Sequence, residues 1–213
     1  MAVRRFGLIG EAEARQIEPG TTVELDAGGH VTPLAWDTLR ARRVTVVPAG
    51  TADPSLPADL APASTIARIA IGADHTGQVL KAALIDHLRR QGRQVTDHGA
   101  NGTDPVDYPD TAGAVARAVA RGQADAGIAI DGAGPGSTIA ANKIRGVRAA
   151  MCPNVTLARY AREHNGANVL ALGATLVSVE DAREIVDTWL STPMREARYI
   201  RRLLKIRGLE ERF

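Results

Sequence analysis

The chain is poor in the residues that would tie it to an oxidising compartment, a membrane or nucleic acid. Among its 213 residues there is one cysteine, Cys152, so no intrachain disulfide can form and a reducing compartment is expected. Aromatic residues make up only 3%, so the core must be built from Ala, Val, Leu and Ile. No apolar run approaches the ~20 residues of a membrane-spanning helix, and the N-terminus lacks a signal-peptide pattern. A formal net charge of +2 is too small to argue for nucleic acid. No His, Cys or Glu spacing suggests a metal site. What is present is 45% hydrophobic and 23% charged residues, the composition of a soluble globular protein whose default location is the cytoplasm. The length suffices to bury a sizeable core.

Composition divides the chain into three. Residues 1–47 read as a small α+β extension, with a short helical stretch at Glu11–Gln16 and a strand at Thr22–Leu25. Ala27-Gly28-Gly29 reads as a turn, Thr32 and Pro33 open a helix over Leu34–Arg42, and Val44–Val47 is a β-branched strand. This is little apolar material for an independent core, so the extension is expected to dock on something. Residues 48–65, rich in Pro, Ala, Ser and Asp without periodicity, read as a semi-extended linker. From 66 to 213 strands and helices alternate. Strands are expected at Ile69–Ile71, Gln94–Asp97, Ala126–Ile130, Val147–Met151 and Val169–Leu172. Helices are expected at Val79–Gln91, Thr111–Arg121, Ser137–Lys143, Val155–His164, Val179–Leu190 and Arg195–Arg207. Such alternation implies parallel strands with helical crossovers, here a Rossmann-like three-layer α/β/α sandwich with a five-stranded parallel sheet.

The chemistry gathers around GIAIDGAGPGSTIAANK, Gly127 to Lys143: a short strand, a carboxylate (Asp131), a glycine-rich turn and a helix. Gly132, Gly134 and Gly136 lack a Cβ, so backbone N–H groups can approach a ligand and offer a site for a phosphate or a developing oxyanion. The plain alternative is a tight strand–helix turn with an acidic flanking residue. Asp74 and His75 follow the first strand of the sheet, and open α/β sheets gather such carboxyl ends at one edge, so His75 has a geometric reason to approach Asp131. A surface loop histidine is the alternative. His164 ends a helix, where a cation suits the negative helix end whether or not it is catalytic. Tyr108 lies in a polar loop with Asp107 and Asp110, as a substrate contact or a loop anchor.

Five motifs then stand in order from Ile69 to about Ile206: GADHTG (Gly72–Gly77), DPVDYPD (Asp104–Asp110), GAGPGSTIAANK (Gly132–Lys143), AREHNGANVLALGA (Ala161–Ala174) and IVDTWLSTP (Ile185–Pro193). With them the chain resembles the type B ribose-5-phosphate isomerase family, which includes the galactose-6-phosphate isomerase subunits. The resemblance implies an α/β/α sandwich, a homodimer or tetramer with active sites shared between subunits, and no cofactor or metal. It also implies aldose–ketose isomerisation of a small phosphorylated sugar through an enediolate, by a base that moves a proton between C1 and C2. By resemblance, His164 would assist ring opening, and Asp74, His75, Tyr108 and Asn165 would contact the substrate. Gly132, Ala133, Gly134 and Gly136 would form the oxyanion site. Arg198 and Arg202 would reach the phosphate bound at the neighbouring subunit.

The departures from the family pattern carry as much meaning. Asp131 stands where the family base is usually a Cys, and Ser137 where another branch places a Glu. Ala133 replaces the usual hydroxyl residue of the turn, Thr175 an Arg, Tyr199 a His, and Pro153-Asn154 a polar pair. The expected base is therefore Asp131, with Ser137 beside it, and burial is expected to raise its pKa above the ordinary ~3.9. An altered substrate follows from the missing Arg. A non-catalytic sugar-phosphate-binding or scaffold protein is the alternative, and a carbonyl-directed enzyme of another reaction a third. Finally, GGHVTPLAWDTLRARRVTVV resembles a segment of some bacterial microcompartment-associated enzymes, which would give residues 1–47 a shell or enzyme partner. A dimer-stabilising arm is the alternative.

Overall fold

The computed structural model describes residues 3–48, 60, 66–102, 104–194 and 197–211. The expected linker, 48–65, lies outside the described residues apart from the backbone of Pro48 and residue Leu60. The chain divides into two compact units, one bounded by Leu60 that also takes in helical residues up to Leu204, the other ending at Met194 and resuming at Lys205.

The first unit alternates strand and helix: β1 (Arg5–Ile9), α1 (Glu11–Gln16), β2 (Thr22–Val31), α2 (Pro33–Ala41) and β3 (Thr45–Pro48). Its three strands pair in parallel in the order β1-β2-β3, so the extension is a small α/β sheet. Sequence reading missed β1 and placed a turn at Ala27-Gly28-Gly29. Instead β2 runs through these residues with an irregularity, its partner on β1 passing from Leu25 opposite Phe6 to His30 opposite Leu8. Gly28 sits at φ +80° there, so the glycine signal marks a bulge and not a strand end. Thr32 caps α2 by accepting from Ala35 N, as its position before Pro33 requires. Ala35, Leu39 and Val44 join Ile9, Ala14, Ile17 and Val23 in one core, so the segment resembling a microcompartment motif builds this unit's interior.

The second unit contains β4 (Arg68–Ala73), α3 (Gln78–Arg90), β5 (Gln94–Asp97), α4 (Tyr108–Ala120), β6 (Ala126–Asp131), α5 (Pro135–Ala141), β7 (Ala149–Met151), α6 (Val155–Glu163), β8 (Val169–Gly173) and α7 (Val179–Ser191). Helix α8 (Ala197–Glu210) closes the described chain. The expected five-stranded parallel sheet is borne out, in the order β5-β4-β6-β8-β7. Its two faces differ because the strands alternate large and small residues. Ile69, Ile71, Ile128, Ile130, Leu170 and Leu172 face α3, α6 and α7, whose Leu84, Leu88, Ala158, Ile185 and Trp189 complete the larger core. Ala70, Ala129 and Val169 face the Ala-rich α4 and α5. Small residues let these helices come close: a Cβ on Gly127 would lie 2.7 Å from Val115 Cγ1, and one on Gly72 2.9 Å from Val115 Cγ2. From β4 the chain moves outward to β5, then crosses back to β6 on the other side of β4. That reversal opens a crevice at the carboxyl ends of β4 and β6, where ligands of open α/β sheets bind.

Candidate active site

At the carboxyl end of β6 the Asp131 carboxylate folds back into its own glycine turn. Oδ1 accepts from Ala133 N at 2.8 Å and from Gly134 N, and Oδ2 accepts from Ser137 N at 2.7 Å. Asp131 is 4% exposed. Gly134 sits at φ +96°, a left-handed conformation that a side chain would strain, and this is what aims the amides inward. Burial works to raise the Asp131 pKa, but Ser137 and the N–H groups of Gly134 and Ala133 outweigh it, and the net shift is downward. Two expectations are corrected here. The carboxylate is held below its ordinary range because hydrogen bonds to the charged form exceed the cost of desolvation. The amides expected to face a substrate oxyanion are engaged by the protein's own anion.

The neighbouring turn repeats the pattern. Asp74, buried at the end of β4, caps the single turn His75–Gly77 by accepting from Thr76 N at 2.9 Å and Gly77 N at 3.2 Å. Its backbone N donates to Ile130 O at 3.1 Å, which ties the two strand ends together. His75 is exposed, and its Nδ1 accepts from Val106 N at 3.3 Å, so the loop before α4 steadies it. That loop is anchored from below by buried Lys81, whose Nζ donates to Asp97 Oδ1 and Ala100 O, both at 2.9 Å. Tyr108 packs against the glycine turn: a Cβ on Gly136 would lie 2.7 Å from its ring, so Gly136 makes room for it.

Asp74, His75, Tyr108, Asp131, Gly132, Ala133, Gly134, Gly136 and Ser137 thus gather at one sheet edge. Two residues outside the expected set join them. Thr76 brings its Oγ1 within 3.5 Å of where a Cβ on Gly132 would stand, and Thr175 donates from Oγ1 to Gly132 O at 2.6 Å. The Thr in GADHTG was the available signal for the first. Thr175, where the resemblance expects an Arg, serves the turn's backbone and offers no guanidinium.

His164 and Asn165 are not in this cluster. Helix α6 starts after β7 at the carboxyl edge and runs back, so His164 ends it at the opposite edge, five residues before β8 begins. Asp131 pairs with Gly173 at the far end of β8. At about 3.3 Å per strand residue, the length of β8 alone separates them by roughly 13 Å. Arg198 lies on the first turn of α8, and exposed Arg202 stands over the Tyr199 ring at 5.6 Å.

A sequence model of the Ribose/Galactose Isomerase family matches residues 69–206. The chain belongs to the ribose/galactose isomerase family. It is 43% identical over 145 residues to ribose-5-phosphate isomerase B of Escherichia coli K12, covering 68% of this chain and 97% of that one. It is equally identical, over 124 residues, to D-erythrulose-4-phosphate isomerase of Pectobacterium atrosepticum, covering 57% and 81%. Among solved structures, ribose-5-phosphate isomerase B of Clostridium thermocellum is 47% identical with a TM-score of 0.67, covering 68% of this chain and 98% of that one. The Mycoplasma genitalium enzyme, solved with bound ribulose-5-phosphate, has the same TM-score at 39% identity, covering 68% and 97%. The resemblance and the aldose–ketose isomerase class expected from the sequence are borne out at the level of family. The first unit, up to Leu60, lies before the matched region.

Proposed function

We propose that this protein interconverts an aldose phosphate and its ketose through an enediolate, at the carboxyl edge of β4 and β6, with Asp131 as the proton acceptor. The observation that carries this reading is the gathering of Asp74, His75, Tyr108 and Asp131 with its glycine turn at one sheet edge, in a chain of the ribose/galactose isomerase family. As a proton passes from substrate carbon to Asp131, the negative charge passes from the carboxylate to the substrate oxygen. The N–H groups of Ala133, Gly134 and Ser137 stay fixed on Asp131 and favour its ionised form. Because they already stabilise an anion in the ground state, their differential contribution to the transition state is reduced. Slower turnover than with a base outside the cradle is the expected consequence.

Within one chain His164 stands at the wrong edge to serve this crevice. We assign ring opening to His164 of a second copy, with Arg198 and Arg202 from a second copy on the phosphate, where guanidinium forks suit a bidentate anion. Loss of an Arg at Thr175 favours a short or altered substrate. Relatives named for a five-carbon and a four-carbon sugar phosphate, at equal identity, put both in range. The deciding experiment is a panel of tetrose, pentose and hexose phosphates, assayed for interconversion and for solvent-proton exchange at C2. Absence of both with every sugar would refute the isomerase reading. It would favour a second reading, sugar-phosphate binding without turnover, which the low-pKa, amide-locked Asp131 specifically supports.

A further inference from the structure

We infer that Tyr160 and Arg162 are positioning residues for His164, one fixing its ring and the other the loop that carries it. The inference rests on the reading that His164 serves ring opening. One turn of helix separates Tyr160 from His164, and His164 N donates to Tyr160 O at 2.9 Å. The two rings stack with centroids 4.9 Å apart and planes 15° from parallel, an arrangement that restricts rotation of the imidazole. Beyond His164 the chain reverses through Gly166 at φ +56°. Two arginines then hold this reversal by its carbonyls. Arg162 Nη1 donates to Ala167 O at 2.7 Å, and Arg148 Nε donates to Gly166 O at 2.9 Å.

Arg162 is the unusual one. It is 1% exposed, and its guanidinium lies 4.9 Å from the centre of the Trp189 ring. Burial, with Arg148 nearby, lowers its pKa to about 10, which still leaves it charged at neutral pH. A buried cation is costly, and an apolar side chain of similar volume would pack against Trp189 without that cost. What an apolar residue could not supply is a rigid donor to the carbonyl that ends the His164 loop. The guanidinium under the loop and the phenol beside the ring together leave the imidazole little freedom.

The test uses the full-length protein with Tyr160→Phe, Tyr160→Leu, Arg162→Met and His164→Ala. Readouts are kcat and KM on the sugar phosphate that turns over fastest, and the His164 imidazole proton shifts by NMR. Tyr160→Phe should keep both the upfield ring-current shift and wild-type kcat. Tyr160→Leu should lose the shift and lower kcat about tenfold at unchanged KM, as misorientation without lost binding does. Arg162→Met should lower kcat in the same way, and where it does not fold, Arg162→Lys, which keeps the charge but loses the planar fork, should do so; wild-type kcat in whichever folds overturns the role of Arg162. Wild-type kcat in Tyr160→Leu, or an unmoved His164 shift, overturns the inference. Undiminished kcat in His164→Ala overturns the reading beneath it and the inference with it, a result distinguishable because the ring-current shift is read independently. A wild-type protein that turns over no sugar phosphate overturns both.

Discussion

Replacing Asp131 by Asn separates the two roles the carboxylate combines. The substitution keeps shape and removes charge. The amide oxygen of Asn can still accept from Ala133 N and Gly134 N, but its NH2 then faces Ser137 N, a donor that stood 2.7 Å from Oδ2. One hydrogen bond to a charged group is lost outright, at about 1.5–3 kcal/mol, and two others fall from charge-assisted to neutral strength, about 1 kcal/mol each. The expected destabilisation is about 3–5 kcal/mol, on the order of 10 °C in melting temperature for a chain of this size. Thermal melting gives this term, and C2 proton exchange on the active sugar phosphate gives the other. Exchange should fall to background, well beyond what partial unfolding explains. A variant that melts with the wild type refutes the capping argument. One that exchanges at the wild-type rate refutes the assignment of the base while leaving the cap intact.

Asp131 and Asp125 both have pKa values held below the ordinary carboxylate range, against the opposing effect of burial, by Ser137 and the turn amides in one case and by Arg68 and its neighbours in the other. The stability they contribute is complete above about pH 4 and is lost as pH falls through the folded-state values, so melting temperature should drop in acid, less steeply in Asp131→Asn; a parallel drop in both proteins would refute this. Gly99→Ala would place a Cβ 2.3 Å from Ala73 N, backbone against backbone, and should cost about 1–3 kcal/mol or more in urea denaturation; an unchanged midpoint refutes it. Cys152 is 1% exposed and burial pushes its thiol up to about 12, so a thiol reagent at pH 8 should react only after denaturation, and fast labelling of the native protein would contradict its placement.

The sandwich was legible because its signals are periodic and local. Ile69 and Ile71 alternate with Ala70, Leu80, Leu84 and Leu88 recur at helical spacing, and each strand is followed by a turn and a helix. The first unit was harder. β1 is largely exposed apart from Ile9, so RFGLI carries no clear alternation, and the Gly28-Gly29 pair signals a turn and a bulge equally well. Sequence order also brought Asp131, the glycine turn and His75 to one edge, since strand ends in a parallel sheet share an edge. The direction in which Asp131 points was not legible. A carboxylate after a strand and before a glycine turn can face the cleft or cap the turn. The choice is made by Gly134 at φ +96° and by Ser137 N, six residues on, neither of which has a sequence signature for it. The Tyr160–His164 stack was readable in principle from the i, i+4 spacing, but that spacing is as common on a solvated helix face.

The separation of His164 from Asp131 by the length of the sheet makes the shared site testable without a structure of the assembly. If a site takes Asp131 from one copy and His164 from another, Asp131→Asn spoils every site from one side and His164→Ala from the other. Unfolded together and refolded as an equal mixture, the two inactive variants assort into homodimers of each kind and heterodimers. In a two-fold heterodimer one site receives both defects and the other receives neither. Random pairing makes about half the dimers mixed, each with one intact site of two, so the mixture should recover about a quarter of wild-type activity. Recovery should depend on subunit exchange and be absent when the variants are combined without unfolding. If each site were built within one chain, every site in the mixture would carry one defect and no activity would return. Equal inactivity before and after exchange would therefore place each His164 with its own Asp131 and refute the shared site argued from the strand geometry.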